Sequence, residues 1–173
     1  MSKAGAILIV EDEEDLVEIL SDIVGRVSDT VYTARNGKEA LEVLASHQVH
    51  AVLSDIMMPV MNGLELLRTV RQGGSDVPFV FLTAFGDKHN LLEALRLGAL
   101  DFIEKPFEIE TVRTATANAL ELGVALQDLE KELDAIVSKS KLPMDEVARM
   151  RNIRRAVLMM KLECEIYAKK QLK

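Results

Sequence analysis

The stretch AVLSDIMMPVMNG, residues 51–63, reads as the end of an apolar strand, an acid, and the start of a helix. Ala51 to Ser54 finish the run VHAVLS of residues 49–54, Asp55 follows it, and Asn62-Gly63 opens a helical pattern carrying Leu64, Leu66, Leu67 and Val70. A short buried strand followed closely by an amphipathic helix is half of a parallel crossover unit. The pattern recurs on both sides. Strands are predicted at residues 6–10 (AILIV), 29–34, 77–83 (VPFVFLT) and 100–103. A helix from about Glu13 to Val24, ending near Gly25, sets Leu16, Val17, Ile19, Leu20, Ile23 and Val24 on one face. Another follows Asn36-Gly37 with Ala40, Leu41, Val43 and Leu44, and a third runs from an N-cap at Asp87 to a C-cap at Gly98 with Leu91, Leu92, Leu95 and Leu97 between them. Five strands joined by right-handed crossovers make an α/β, five-stranded parallel, doubly wound domain.

Composition narrows the classes. The 173 residues include 49% apolar side chains and 28% charged ones, which is ordinary for a globular protein. The lone Cys164 makes neither an intrachain disulfide nor a multi-cysteine metal site, and 4% aromatic content without Trp argues against an aromatic nucleic-acid platform. No apolar run approaches the length of a membrane span, and no signal peptide is readable, so a cytoplasmic protein without membrane insertion is expected. His47, His50 and His89 lack metal-ligand spacing and read as surface or turn residues. The net charge of −7 hides a division: residues 1–138 carry −13 and residues 139–173 carry +6.

The tail has its own texture. From Glu108 to Val137 there is no proline and a single glycine, Gly123, which predicts one helix of about 30 residues. Ala115, Ala119, Leu122, Leu126, Leu129, Leu133 and Ile136 step by fours and threes, a heptad seam. SKSKLP at 138–143 breaks it, and Met150, Ile153, Val157, Met160, Cys164 and Tyr167 form a second seam. The expected result is an antiparallel α-helical hairpin over 119–173, built from the extended fifth helix and a final helix. A basic final helix carrying Arg149, Arg151, Arg154 and Arg155 would face Glu121, Asp128, Glu130, Glu132 and Asp134. Two such hairpins pair into a four-helix bundle, so homodimerisation through a coiled coil over about 115–170 is expected, or recruitment of a downstream protein partner.

Function in doubly wound sheets sits outside the carboxyl ends of the strands. Here those ends carry Glu11-Asp12, Asp55, Thr83 and Lys105-Pro106. Gathered carboxylates repel one another, and a hard divalent cation relieves that repulsion; Mg²⁺ binds through one or two carboxylates, keeps waters and also ligates phosphate. A carboxylate is moreover a competent phosphoryl acceptor.

The stretches ILIVEDEED (7–15), AVLSDIMMPVMNG (51–63), FLTAF (81–85) and DFIEKPF (101–107) resemble the receiver domain of two-component response regulators, over residues 5 to about 118. The resemblance implies a receiver domain at 1–118 with a flavodoxin-like strand order 2-1-3-4-5, fed by a histidine kinase or phosphotransfer protein. It makes Asp55 the phosphoacceptor and sets Glu11 and Asp12 as the acidic pair at the metal, Asp12 being the direct ligand. The Met57 backbone carbonyl is implied as a further ligand. Thr83 would bond a phosphoryl oxygen and pair as a switch with Phe102, and Lys105, ahead of a cis proline bond, would form an ion pair with the phosphoryl group. Such a protein is not a conventional enzyme; its chemistry is Mg²⁺-dependent self-phosphorylation and self-dephosphorylation at Asp55. Glu11 departs from the commoner Asp, and Phe102 from Tyr. For the tail, nucleic-acid binding is not expected, the alternative being an RNA-binding, antiterminator-type output through the basic final helix.

Overall fold

The computed structural model describes residues 5–84, 88–139, 143, 145–150, 152, 153, 156 and 160. Asp87, Arg151, Arg154, Arg155, Val157, Cys164 and Tyr167, singled out above, lie outside them. The element order is β1 (Ala6–Val10), α1 (Glu14–Val24), β2 (Thr30–Ala34), α2 (Gly37–Ser46), β3 (Ala51–Asp55), α3 (Gly63–Gln72), β4 (Phe79–Ala84), α4 (Lys88–Arg96), β5 (Asp101–Lys105) and α5 (Ile109–Val137). All strand pairs are parallel and the sheet order is β2-β1-β3-β4-β5. No helix among the described residues is long and apolar enough to cross a membrane.

Two compact units divide between Glu121 and Leu122. In the first, the sheet is covered on both faces, so its inner strands are apolar throughout: all five residues of β1 and of β3 are buried. Alternation then sorts the core. Leu8, Val10 and Val52 join α2, α3 and α4 on one face through Ala40, Leu64, Leu67 and Ala94. Ile7, Ile9 and Leu53 join α1 and α5 on the other through Leu20, Val24, Val112, Ala115, Ala119 and Leu120. The core of this unit therefore reaches past residue 118.

Local signals set the helix ends. Asn36 Oδ1 accepts from the Lys38 and Glu39 N–H groups at the start of α2, and Asn62 with Glu65 closes a capping box on α3. Gly98 ends the turn after α4 at φ 77°, with Ala99 N–H donating to the Ala94 carbonyl.

Some sequence expectations shift. Ile19 is 52% exposed, because it lies about 40° beyond the arc held by the other apolar residues of α1. Leu92 and Leu95 of α4 are exposed as well, and Ala94 makes that helix's buried contact. The strands carrying Asp55 and Lys105 extend to include those residues, since backbone pairing continues through Asp55↔Leu82 and Ala84↔Lys105. His50 is more than a turn residue: its Nδ1 accepts from the Ala6 N–H at 2.9 Å while its own N–H donates to the Ala6 carbonyl.

In the second unit, Leu122, Leu126 and Leu133 of the first seam are buried, as is Val147. Leu129 is half-buried, and Ile136, Met150, Ile153 and Met160 are exposed. After Lys139 the described backbone resumes at Pro143, whose carbonyl accepts from the Val147 N–H in the first turn of the next helix.

One side chain ties the amino-terminal edge of the sheet. Arg71 donates from Nη1 to the carbonyls of Ser75 (2.9 Å) and Val77 (3.0 Å) and from Nη2 to that of Gly98 (3.1 Å), with its guanidinium 5.6 Å from the Phe79 ring centroid. Arg71→Met strands those carbonyls and should cost about 2 kcal/mol in urea denaturation, with Arg71→Lys restoring only part because it lacks the planar fork.

Candidate functional site

The parallel register carries four elements of chemistry to one edge. Glu11 and Asp12 follow β1, Asp55 ends β3, Thr83 is the penultimate residue of β4, and Lys105 ends β5 ahead of a cis Lys105-Pro106 bond. The structure brings Glu11, Asp55 and Lys105 into direct contact. Lys105 Nζ lies 2.5 Å from Asp55 Oδ2 and 3.1 Å from Glu11 Oε2.

Each carboxylate has a second donor. Asp55 Oδ1 accepts from the Met57 N–H at 2.9 Å, and Glu11 Oε1 from the Glu13 N–H at 3.3 Å. Asp12 is exposed and borders a cleft of about 210 Å³ that Glu11, Thr33 and Arg35 also line. Thr83 is buried, its hydroxyl donating to the Ala84 carbonyl at 3.3 Å, and Phe102 stands at the surface. Among the described residues, no group of three or more His, Cys, Asp and Glu side chains is spaced to hold a metal. Glu11 and Asp55 are gathered on the Lys105 ammonium, which offsets part of their mutual repulsion.

Burial raises the Glu11 carboxyl above its ordinary 4.5; the Lys105 hydrogen bond opposes that rise and the Asp55 charge adds to it. For Lys105, burial works against the charge, but the hydrogen bond and charge of Asp55, followed by those of Glu11, outweigh it and raise the ammonium above 10.5.

The loop after Asp55 is held tightly. Met61 N–H donates to the Pro59 carbonyl at 2.8 Å around Val60, whose φ of 69° makes the strained γ-turn that side chains seldom adopt. Gly63 N–H then donates back to the Ile56 carbonyl at 2.9 Å. Met57 is exposed on this loop, whereas Met58 packs in the core.

Two residues that support Asp55 escaped the sequence reading. Ser54 Oγ donates to the Asp55 carbonyl at 2.8 Å. Gly63 sits so close that a Cβ there would overlap the same carbonyl oxygen and crowd Phe81. The Asn-Gly pair marked a helix start, but only the fold reveals that its glycine admits the end of β3.

Gly63→Ala must push the end of β3 away, and a loss of about 1–3 kcal/mol is expected from thermal or urea melts. Lys105 predicts an alkaline limb. Its folded pKa is raised, so its stabilisation is complete below 10.5 and disappears as pH climbs through the folded value. Urea midpoints measured from pH 9 upward should fall less steeply in Lys105→Met. Glu11 has the same sign in an acidic window: its raised carboxyl makes stability drop as pH rises from 4.5 through the folded value.

A family model described as the response regulator receiver domain matches residues 7–117. The chain is 37% identical over 115 residues to the response regulator protein PilR of Pseudomonas aeruginosa, covering 66% of this chain and 26% of that protein. It is 33% identical over 133 residues to the regulatory protein AtoC of Escherichia coli, covering 77% and 28%. To the response regulator SaeR of Staphylococcus aureus it is 39% identical over 101 residues, covering 58% and 44%. The chain thus spans less than half the length of these relatives. Among solved structures, the signal receiver domain of a signal transduction histidine kinase from Syntrophus aciditrophicus superposes with a TM-score of 0.61 at 32% identity, covering 68% of this chain and 91% of that one. The signal receiver domain of an HD domain-containing protein from Pseudomonas fluorescens gives 0.67 at 26% identity, covering 74% and 95%. With the strand order, the sheet-edge acids and the family match in agreement, the chain belongs to the response regulator receiver family of two-component signalling.

Proposed function

We propose that Asp55 accepts a phosphoryl group from a histidine kinase or phosphotransfer protein in the cytoplasm, with Mg²⁺ bound beside it. The observation that carries this reading is the Lys105 ammonium 2.5 Å from Asp55 Oδ2 at the carboxyl edge of the sheet. In the reaction an Asp55 oxygen attacks phosphorus, the bond from phosphorus to the donor breaks, and its electron pair leaves with the donor. Catalysis of that step is mostly positioning and charge neutralisation. The Met57 N–H fixes the Asp55 carboxylate, Lys105 neutralises charge, and Thr83 supplies a hydroxyl for a phosphoryl oxygen.

The donors are of the hard oxygen type that Mg²⁺ takes: the exposed Asp12 carboxylate, Asp55 and the Met57 carbonyl would hold it together with waters. When bound, the ion supplies positive charge for the phosphoryl oxygens. Phe102, on the edge strand and 36% exposed, would gain burial by turning inward as Thr83 moves toward the phosphoryl group.

The output we infer is a homodimer through the tail. Ile136, Met150, Ile153 and Met160, all on the heptad seams, are exposed in the second unit. A second copy offers matching apolar residues and both signs of charge, because Asp128, Glu130, Glu132 and Asp134 precede a segment of net +6. A downstream protein partner is the competing occupant of the same surface.

Asp55→Asn should abolish uptake of radiolabel from a small phosphodonor such as acetyl phosphate with Mg²⁺; persistent labelling refutes the assignment. By light scattering the full chain should run as a dimer, and a chain ending at Glu121, where the first compact unit closes, as a folded monomer. A dimeric truncation places the interface elsewhere.

A further inference from the structure

Met57 combines a fixed backbone with an open side chain. Its N–H donates to Asp55 Oδ1, and the loop behind it is closed by the Met61 and Gly63 N–H groups donating to the Pro59 and Ile56 carbonyls. Its thioether packs in no core. Met57 is 65% exposed, whereas Met58, next in sequence, is 9% exposed and lies in the core, and Met61 packs against that core. Asn90, in the first turn of α4, directs its Nδ2 at the Met57 sulfur from 3.9 Å.

A thioether is a weak acceptor, so that contact adds little as it stands. Oxidation changes its character. A sulfur lone pair attacks one oxygen of a hydroperoxide, the S–O bond forms as the O–O bond breaks, and the departing oxygen takes the proton from the new sulfoxide oxygen and leaves as water or an alcohol. Sulfur is oxidised by two electrons and the peroxide is reduced by the same two. The product carries a strongly polar oxygen on the atom that Asn90 already faces. At a residue this exposed, the added polarity does not disturb the core, as it would at Met58.

We propose that Met57 is a methionine-oxidation site through which hydroperoxides slow phosphoryl uptake at Asp55. The effect on uptake rests on the reading of Asp55 as phosphoacceptor; the modification itself does not. The sulfoxide oxygen accepts from Asn90 Nδ2 and ties the Asp55 loop to α4. Thr83 stands between these two anchors, because β4 lies beside β3 and is the strand that precedes α4. A firmer tie resists the movement of Thr83 toward the phosphoryl group. The loop has no slack to absorb the change, since shifting Met57 would draw its N–H away from Asp55.

The test treats the full chain with hydrogen peroxide and follows it in three ways. Peptide mass spectrometry should find one added oxygen on Met57 well before Met58 or Met61. Uptake of label from acetyl phosphate with Mg²⁺ should slow about threefold to tenfold, the worth of one good hydrogen bond, and recover after treatment with methionine sulfoxide reductases acting on both epimers. In ¹⁵N NMR the Asn90 side-chain amide pair should shift on oxidation. Each variant is compared with itself before and after peroxide: Met57→Leu should show no slowing, and Asn90→Ala should be oxidised at Met57 just as readily yet keep its untreated rate. Met150 and Met160 are exposed in the second unit, so slowing that persists in Met57→Leu assigns the effect elsewhere in the chain and overturns the proposal. It is equally overturned if Met57 is oxidised no faster than Met58, if Asn90→Ala slows as the native chain does, or if the Asn90 amide pair does not respond. The mass map and the amide signal need no phosphoryl transfer, so they decide the modification even where labelling of Asp55→Asn has refuted the phosphoacceptor reading.

Discussion

Lys105 is set between two carboxylates that have little access to water, and much of the first unit's architecture serves to keep it there. Glu11 follows β1, Asp55 closes β3 and Lys105 closes β5, so the contact joins residues 94 and 50 positions apart in sequence. Only a parallel sheet brings such ends to the same edge, and only crossover helices on both faces let its inner strands be apolar throughout. The two core clusters, sorted by strand alternation, are what hold those ends in register.

Burying charge at that edge has an energetic consequence. A carboxylate as enclosed as Glu11 is costly unless paired and hydrogen-bonded, and Lys105 supplies the pairing at 3.1 Å. Burial raises Glu11, with the Asp55 charge adding to the rise and the Lys105 hydrogen bond opposing it, while the ammonium gains enough from both acids to outweigh its own burial. The edge is thus held together by an interaction between charges, which an arriving charged group can rearrange. A fully apolar edge would be more inert but would offer such ligands nothing.

Much of this was legible in the sequence because periodicity and caps are local. The apolar runs located every strand of the sheet, Asn36 and Asn62 marked helix starts, and Gly98 marked a stop. The site residues were legible as strand ends, since an acid or lysine closing an apolar run is conspicuous. What the sequence did not yield depends on distance across the fold. Gly63 touches the Asp55 carbonyl, His50 reaches Ala6, and Arg71 gathers three carbonyls, and none of these contacts leaves a periodic trace. Apolarity also misled where it is not the deciding quantity. Leu92 and Leu95 sit at helical spacing, yet the smaller Ala94 is the residue of α4 that fits against the core.

The acidic pair reads differently once its two members are separated. Adjacent acids after a strand suggest one function, yet these two stand in different environments. Here the first is enclosed against Lys105 and the second faces solvent. Because Glu11 and Lys105 neutralise each other, the charge left to attract a cation at this edge belongs chiefly to Asp12 and to whatever part of Asp55 the ammonium does not claim. Removing Lys105 would therefore do two things at once: it would take away the positive charge beside Asp55, and it would release Glu11 as an unpaired buried carboxylate. Any change at position 105 combines a chemical loss with a folding cost, and the two separate only when position 11 is altered with it.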